Sequence, residues 1–348
     1  MRLEAIEAPG LARRLGLPAA ALAATVLVAA GLAAIAGGNP LDVLGQIVQG
    51  AAGSKFARLE TLNRATPLIF TGLAVAVAFR ARLWNIGAEA QLYLGAVATV
   101  VIGTQSGLPG PLVIPAMAAA AVVAGGLMLL GPTLLKTRLG VDEVVTTLLL
   151  NFVVLLLVGY LLEGPMKDPM GMGWPKSPSL PAEARLPRMA EGLRLHWGFG
   201  LALICAAGVW LLQARTTLGF EMRAVGANAR AARFAGMPVN AVLVKTALIS
   251  GGLAALAGFS EVAGMKGNLT ADISPGYGYT GIVVAMLALL NPLGVVVSAL
   301  FVAGIFVGAD SMSRQAGVPS YIADILLASA LLFMVAALKL SRFRIVRG

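Results

Sequence analysis

The chain has 348 residues, of which 58% are hydrophobic and only 12% are charged, and its formal net charge is +10 at pH 7. Soluble domains carry about 25% charged residues, so this composition excludes an ordinary soluble domain and indicates an integral membrane protein. The positive charge does not favour nucleic acid as a partner, because the basic residues lie in short loops beside apolar runs, the arrangement that orients membrane proteins.

Apolar runs recur along the chain and predict an all-α integral membrane protein with about ten transmembrane helices, some short or broken, in a single domain over residues 1–348. The predicted spans are 17–37, 67–79, 88–103, 111–133, 142–162, 198–213, 241–262, 280–290, 293–310 and 320–338. An even number of spans places both termini on one side of the membrane. Most of the 26 basic residues fall on that side, so both termini are predicted to be cytoplasmic.

Three connecting segments are long enough to matter for function. Residues 38–66 mix charged and apolar side chains and are predicted to form an amphipathic extracytoplasmic surface segment. Residues 163–197 contain six prolines, which predicts an extracytoplasmic loop of irregular backbone. Residues 214–240 form a cytoplasmic connection.

The cytoplasmic connection contains a polar, alanine-rich stretch at 221–239 that carries Arg223, Arg230 and Arg233. Its composition predicts a short helix of two or three turns that stops at Pro238, because proline cannot continue a helix. Such a helix lies on the lipid surface, belongs to an ordinary basic loop, or docks into another protein. Composition alone leaves these three possibilities open.

A short apolar run, a break and a fuller run occur at 67–103 and again at 280–310, which predicts an internal repeat. Hydropathy leaves open whether the repeats are six spans apart in the same orientation or are two halves of five spans with opposite topology. The thirteen residues at 67–79 would span about 20 Å as a helix, against about 30 Å of hydrocarbon, so this span is predicted to be short or broken, or to recruit part of the insert at 80–87. Paired broken spans are the usual sequence sign of a permeation pathway.

Polar side chains within or beside the apolar runs are candidates for the translocation path. A carboxylate in hydrocarbon is costly, so such groups usually face a cavity or a partner. Glu89 has a second interpretation, because a carboxylate beside Gly87 also favours the positive end of a helix that begins there. The candidates are Asn85, Glu89, Gln91, Asn151 and Asn291.

Motifs for catalysis are missing from the sequence. It contains no GxxxxGK[ST] loop for ATP, and its one histidine rules out an HExxH zinc site. We therefore predict that the protein is not an enzyme, binds no cofactor directly and has no metal site.

Two stretches together resemble one protein family. The segment from Pro67 to Gly95, continued by Ala96, contains the sequence RARLWNIGAEAQLYLGA, which is similar to the F-N-I-G-x-E-G-Q stretch of permease subunits of bacterial ABC importers. The similarity is to the nucleoside and simple-sugar branch, which is related to the ribose and branched-chain amino-acid permeases. The sequence RAVGANARAARFAGMPV, followed by KTALISGGLAALAG, resembles the cytoplasmic loop of the same family. The resemblance covers most of residues 60–340 and departs at Ala90, where the family usually has glycine; this difference would alter close packing just after Glu89.

The resemblance implies that residues 226–236 form the coupling helix, which docks into a groove on a separate ATP-hydrolysing subunit. The coupling residues it implies are Arg223, Gly226, Asn228, Arg230, Ala231, Arg233 and Gly236. It further implies that ATP and Mg²⁺ are bound by that ATPase subunit, and that a second permease subunit, identical or paralogous, completes the membrane part. An extracytoplasmic solute-binding protein and membrane lipid are the other expected partners, in the bacterial cytoplasmic (inner) membrane.

The expected function is that of the transmembrane subunit of an ATP-driven importer for a small polar solute, most plausibly a nucleoside. A simple sugar stays open as the solute, because no single residue separates the two substrate classes. From a different class, the alternative is an ion-coupled secondary transporter in which Glu89, Glu261 or Asp310 binds the coupling ion. A membrane scaffold without transport activity is disfavoured by the broken spans.

Overall fold

The structure, a computed structural model, describes residues 39–189 and 194–316 without interruption, the segments 2–5 and 343–346, and scattered positions at 16–34 and 321–337. The chain divides into a larger unit, Leu62–Leu300, and a smaller unit that combines Met1–Thr61 with Phe301–Gly348. In the described residues, the regular structure is helical apart from two four-residue strands, which pair antiparallel in the smaller unit.

Eleven α-helices have bounds in the described part of the chain. They are α1 (Pro40–Ala52), α2 (Lys55–Arg80), α3 (Ala88–Gln105), α4 (Gly110–Leu139), α5 (Glu143–Glu163), α6 (Gly198–Arg215), α7 (Thr217–Ala227), α8 (Ala229–Phe234), α9 (Val239–Ser260), α10 (Tyr277–Leu287) and α11 (Pro292–Ala316). A π-helical turn, Glu261–Lys266, extends α9, and a 3-10 turn lies at Ala182–Ala184. The strands are β1 (Arg2–Ala5) and β2 (Phe343–Val346).

Six helices of the described residues are long and apolar enough to cross a membrane: α2, α4, α5, α6, α9 with its π-helical turn, and α11. Together with α3 and the 11-residue α10, they coincide with eight of the ten predicted spans. The predicted spans 17–37 and 320–338 lie outside the continuously described residues. Ten spans, the cytoplasmic termini and the internal repeat therefore stay predictions.

The prediction of a short span at 67–79 was wrong. Helix α2 begins at Lys55, so it recruits about three turns from the predicted surface segment 38–66, and α1 covers most of the rest of that segment. Pro67 lies inside α2 without ending it, and the hydroxyl of Thr71 donates a hydrogen bond to the Pro67 carbonyl oxygen at 3.0 Å. Charged residues in the first turns lowered the local hydropathy, although the helix continues through them.

Helices α3, α4 and α9 pack together at the centre of the larger unit. Their backbones approach closely at small residues: a Cβ added at Gly258 in α9 would overlap the carbonyl oxygen of Leu92 in α3. A Cβ at Gly125 in α4 would likewise overlap the carbonyl oxygen of Gly251 in α9. Small residues of this kind let membrane helices pack by direct backbone contact. This packing brings the first turns of α3 against the C-terminal part of α9.

In the smaller unit, α1 packs against the C-terminal part of α11. Gly308 in α11 lies so close to the carbonyl oxygen of Ile47 that a Cβ would overlap it, and Gly50 in α1 is equally close to the side chain of Ser311. The hydroxyl of Thr61 donates to the carbonyl oxygen of Ala51 at 2.8 Å, which ties the end of α1 to the start of α2.

Candidate functional site

Residues 81–87, between α2 and α3, form an irregular segment held by side chains of α5. Asn151 donates through Nδ2 to the carbonyl oxygen of Ile86 at 2.9 Å and accepts through Oδ1 from the backbone N–H of Ala90 at 3.0 Å. The backbone N–H of Ile86 donates to the hydroxyl of Thr147 at 3.3 Å. Unpaired backbone groups are costly inside a membrane protein, so these side chains take the place of the missing helical hydrogen bonds.

Asn85 and Gln91 form a reciprocal amide pair on the other side of this segment. The Nδ2 of Asn85 donates to the Oε1 of Gln91, and the Nε2 of Gln91 donates to the Oδ1 of Asn85, both at 2.9 Å. The Nδ2 of Asn85 also donates to the hydroxyl of Ser250 in α9 at 3.0 Å, and that hydroxyl donates to the carbonyl oxygen of Ala74 in α2 at 2.7 Å. The three polar side chains have no solvent-exposed surface in the chain. The network therefore joins α2, α3 and α9 through buried, mutually satisfied groups.

Glu89 caps a different helix from the one it belongs to. Its Oε2 accepts the backbone N–H of Gly278, in the first turn of α10, at 2.6 Å. The two backbones touch here, since a Cβ at Gly278 would overlap the backbone of Glu89. One turn further along α3, the hydroxyl of Tyr93 donates to the carbonyl oxygen of Ala271 at 2.7 Å. The carboxylate thus accepts the orphan N–H of a helix N-terminus, and the side chain is only 3% exposed.

Asn291, the fifth candidate for the translocation path, is exposed and makes its hydrogen bonds with its own helix. Its Oδ1 accepts the backbone N–H groups of Leu293 at 3.0 Å and Gly294 at 3.3 Å, which caps α11. The two residues before it, Leu289 and Leu290, have φ angles of 54° and 58°. The structure therefore groups four of the five candidates around residues 81–87 and places Asn291 at a second break, between α10 and α11.

Three members of the polar network were absent from the candidates drawn from the sequence: Glu143, Thr147 and Ser250. Glu143 pairs with Lys136 and accepts the backbone N–H of Trp84 through Oε1 at 3.1 Å. One sequence signal for Glu143 was available, namely that a Lys and a Glu flank the tight turn at Gly140, where two apolar runs meet. Ser250 and Thr147 carry no such signal, because isolated hydroxyls in apolar helices usually bond to their own backbone.

The connection at 214–240, predicted to be cytoplasmic, forms two helices, α7 and α8, instead of the predicted single helix over 226–236. Asn228 separates them: its backbone N–H donates to the carbonyl oxygen of Ala224 at 3.0 Å, which closes α7. Its Oδ1 accepts the backbone N–H groups of Arg230 at 3.0 Å and Ala231 at 3.1 Å, which begins α8. Asparagine is among the best N-cap residues, so this local preference divides the segment.

Helix α8 presents most of its side chains to solvent. Arg230, Ala231 and Arg233 are exposed, the ring of Phe234 is 96% exposed, and Ala232 is buried beneath them. The helix ends in the left-handed conformation of Gly236, whose φ is 83°, and Pro238 follows. The turn at Gly236 requires glycine because a side chain is strained at this φ.

Arg223 and Gly226 belong to α7 and contact the membrane helices. The guanidinium of Arg223 donates to the backbone carbonyl oxygen of Gln213 in α6. Gly226 is buried against the last residue of α2, since a Cβ there would overlap the carbonyl oxygen of Arg80. Of the seven predicted coupling residues, these two therefore hold α7 in place. The other five belong to α8 or to its flanks: Asn228 caps its start, Arg230, Ala231 and Arg233 lie within it, and Gly236 forms the turn after it.

The predicted extracytoplasmic loop is irregular, as expected, and lies along the end of α9. Backbone N–H groups of Leu180 and Leu186 donate to the carbonyl oxygens of Gly267 at 2.7 Å and Ala263 at 2.8 Å. At the end of the loop, His196 is 1% exposed and its Nδ1 accepts the backbone N–H of Gly198 at 3.1 Å. Burial lowers the pKa of His196 from 6.5 to about 4, because the charged imidazolium loses its hydration there.

Comparison with known proteins identifies the family. A family model described as "Branched-chain amino acid transport system / permease component" matches residues 57–336. The chain belongs to this permease family. The resemblance seen in the two sequence motifs is thereby confirmed, and with it the expectation of a multi-pass membrane transport subunit of an ABC transporter.

The similar permeases include proteins whose names differ in solute. This permease is 37% identical over 317 residues to a glucose ABC transporter permease protein of Haloferax volcanii, covering 88% of this chain and 83% of that one. It is 36% identical over 345 residues to a guanosine ABC transporter permease protein of Bacillus subtilis, covering 97% and 94%. It is 29% identical over 307 residues to a nucleoside ABC transporter permease protein of Lactococcus lactis, covering 86% and 84%.

Proposed function

We propose that this permease is the transmembrane subunit of an ATP-driven importer that moves a nucleoside into the cytoplasm. The guanosine permease supports this solute, because the similarity extends over nearly the whole of both chains. A simple sugar is the second candidate, favoured by the glucose permease, which is slightly more identical over a shorter stretch. ATP and Mg²⁺ belong to a separate ATPase subunit in this proposal.

The observation that carries the proposal is the surface of α8. An aromatic ring that is 96% exposed, at Phe234, stands beside two exposed arginines, Arg230 and Arg233. Aromatic and arginine side chains are enriched among the residues that dominate the energetics of protein–protein interfaces, and here three of them are exposed together on one short helix. Helix α8 is therefore the coupling helix, with Phe234 as its apolar anchor and the arginines facing acidic or carbonyl groups of the ATPase.

The short α8 is fixed firmly enough to transmit a movement. Asn228 caps its first turn, Ala232 is buried beneath it, and the backbone N–H of Met237 donates to the Ala232 carbonyl oxygen at 3.0 Å across the turn at Gly236. When the ATPase closes on ATP, α8 then moves as a rigid body with α7 and shifts the membrane helices that they contact.

The translocation path in this proposal runs beside the break between α2 and α3. Asn85, Glu89, Gln91 and Asn151 supply the buried polar framework of the break, and Asn291 caps the corresponding break before α11. A second permease subunit, identical or paralogous, completes the cavity. The permease lies in the inner membrane with both chain termini in the cytoplasm. An extracytoplasmic solute-binding protein delivers the solute from the opposite side.

The test is co-purification of the permease with its candidate ATPase, together with uptake of radiolabelled guanosine and glucose into proteoliposomes. A Phe234→Ala/Arg233→Glu double variant removes the apolar anchor and reverses one charge, and we expect at least a tenfold loss of ATPase retention. Arg215→Glu, which alters an exposed arginine at the end of α6, is the matched control and keeps the ATPase bound.

Retention of the ATPase by the double variant would overturn the assignment of α8. Uptake of glucose but not guanosine would transfer the proposal to the sugar. ATP-independent uptake driven by an ion gradient would replace it with the secondary transporter.

A further inference from the structure

Arg80, the last residue of α2, lies between the cytoplasmic helices and the second break in the membrane helices. Its Nη2 donates to the carbonyl oxygen of Leu290 at 3.0 Å and to the Oε1 of Gln213 at 3.4 Å. The backbone carbonyl oxygen of the same Gln213 accepts the guanidinium of Arg223 in α7. Gln213 thus accepts hydrogen bonds from two arginines, Arg223 of α7 and Arg80 of the membrane helix α2.

Helix α7 and the end of α2 are in direct backbone contact. Gly226 lies against the carbonyl oxygen of Arg80, where a Cβ would overlap. Close-packed contacts transmit displacement, because protein interiors are close-packed and compress very little. A shift of α7 therefore displaces the C-terminal end of α2 and the Arg80 side chain with it.

Leu290, the acceptor of the Arg80 hydrogen bond, stands in an unfavourable backbone conformation. Leu289 and Leu290 both have positive φ angles, a region that L-residues with large side chains seldom occupy. Their backbone N–H groups bond back to α10, at 3.0 Å to Met286 and 2.9 Å to Ala285. Strained conformations of this kind persist only where neighbours hold them, and they recur in segments that switch between two arrangements.

The charge arrangement favours a contact that can be exchanged. The guanidinium groups of Arg80 and Arg223 both donate to Gln213, so two like charges, which repel each other, lie close together. The Nε of Arg80 and the Nε2 of Gln213 are both buried without a hydrogen-bond partner among the described residues. A half-satisfied polar cluster of this kind is less stable than one in which every donor is paired, so an alternative arrangement does not have to break a complete network.

We propose that Arg80 is a positioning residue that couples α8 to a hinge at Leu289 and Leu290, so that displacement of α7 changes the backbone conformation between α10 and α11. This inference rests on the proposed role of α8 as the coupling helix. In this proposal the side chain of Arg80 transmits the displacement of α7, and the hinge consists of Leu289 and Leu290, which lie outside the two sequence motifs.

The test is amide hydrogen exchange, followed by mass spectrometry, on the complex with its ATPase in nanodiscs. Exchange is compared without nucleotide and with ATP, Mg²⁺ and vanadate, for a peptide covering 226–237 and a peptide covering 284–293. The variants are Arg80→Gln and Arg80→Lys. The matched control is Arg82→Gln, because Arg82 lies two residues after Arg80 and its side chain is exposed. No solute has to be known.

In the wild type and the control, both peptides change their exchange on nucleotide binding. In Arg80→Gln we expect the response of peptide 226–237 to persist, and that of peptide 284–293 to fall at least fivefold. Arg80→Lys keeps the charge but has one compact donor group in place of the planar fork, and it lowers the hinge response as well. The persistent response at α8 shows that such a variant is folded and bound to the ATPase.

A hinge response within twofold of the wild type in Arg80→Gln would overturn the inference. If Arg80→Gln loses the response of both peptides, Arg80→Lys is tested for a persistent response at 226–237 and a reduced response at 284–293. Loss of both responses in Arg80→Lys as well would mean that Arg80 is needed for folding, and it would overturn the inference. A wild type that responds at α8 but not at the hinge refutes this inference alone. A wild type that responds at neither peptide refutes the proposed function and the inference with it.

Discussion

The buried His196 makes the loop at 163–197, which is predicted to be extracytoplasmic, sensitive to acid by an amount that follows from its pKa. Burial lowers this pKa from 6.5 to about 4, so the detached loop binds a proton more readily than the packed loop. The packed state therefore keeps its full stability above pH 6.5 and loses it progressively as the pH falls from 6.5 to 4. The shift is worth about 3 kcal/mol in total and about 2 kcal/mol at pH 5, an increase of roughly 30-fold in the detached population.

NMR of the permease labelled at histidine measures this pKa directly, because the chain contains one histidine and the signal needs no assignment. A tag without histidine is required. We expect the imidazole resonance in nanodiscs to titrate near pH 4, and the apparent melting temperature to fall between pH 7 and pH 5. In His196→Gln that fall disappears, because the substituted side chain does not titrate. A midpoint at pH 6 or above in the wild type would refute the burial argument.

Two further predictions concern stability. Asn151→Ala removes both hydrogen bonds to residues 81–87 and leaves the Ile86 carbonyl and the Ala90 N–H unpaired, so we expect about 1–3 kcal/mol of destabilisation per group. The expected sign is a lower melting temperature in detergent, and an unchanged one would mean that water replaces the amide. Gly258→Ala places a methyl group against the Leu92 carbonyl oxygen and separates α3 from α9, whereas Gly159→Ala, which meets open space, serves as the control. Equal melting temperatures of the two glycine variants would contradict the close packing.

The sequence predicted the positions of eight helices well, because long apolar runs leave few alternatives in a membrane. It failed where charges interrupt a helix, as at the start of α2, since hydropathy cannot distinguish a charged first turn from a surface segment. It also failed to divide α7 from α8. Asparagine is a favoured N-cap residue, so a helix boundary at Asn228 was possible from its residue type, but the surrounding alanines and arginines favour helix on both sides.

The role of Glu89 could not be read from the sequence for a different reason. A carboxylate in the first turn of a helix ordinarily stabilises that helix, and the sequence offers no sign that the N-terminus of α10 lies beside it. The contact depends on Gly278, one of 42 glycines, whose importance comes only from the approach of the Glu89 backbone. Long-range packing of this kind is specified jointly by many residues, so no local pattern records it.

The hydrogen bonds around residues 81–87 have a consequence for the order in which the chain is assembled during synthesis. Asn151 belongs to α5 and Ser250 to α9, so the partners of this segment emerge from the ribosome long after α2 and α3. In a nascent chain that ends before α9, the Asn85 amide has Gln91 and the backbone N–H of Gly87 as partners, but the hydroxyl of Ser250, which joins Asn85 to the Ala74 carbonyl oxygen, is not yet present. The region between α2 and α3 is therefore begun early in synthesis, and its hydrogen-bond network is completed only when α9 has been made.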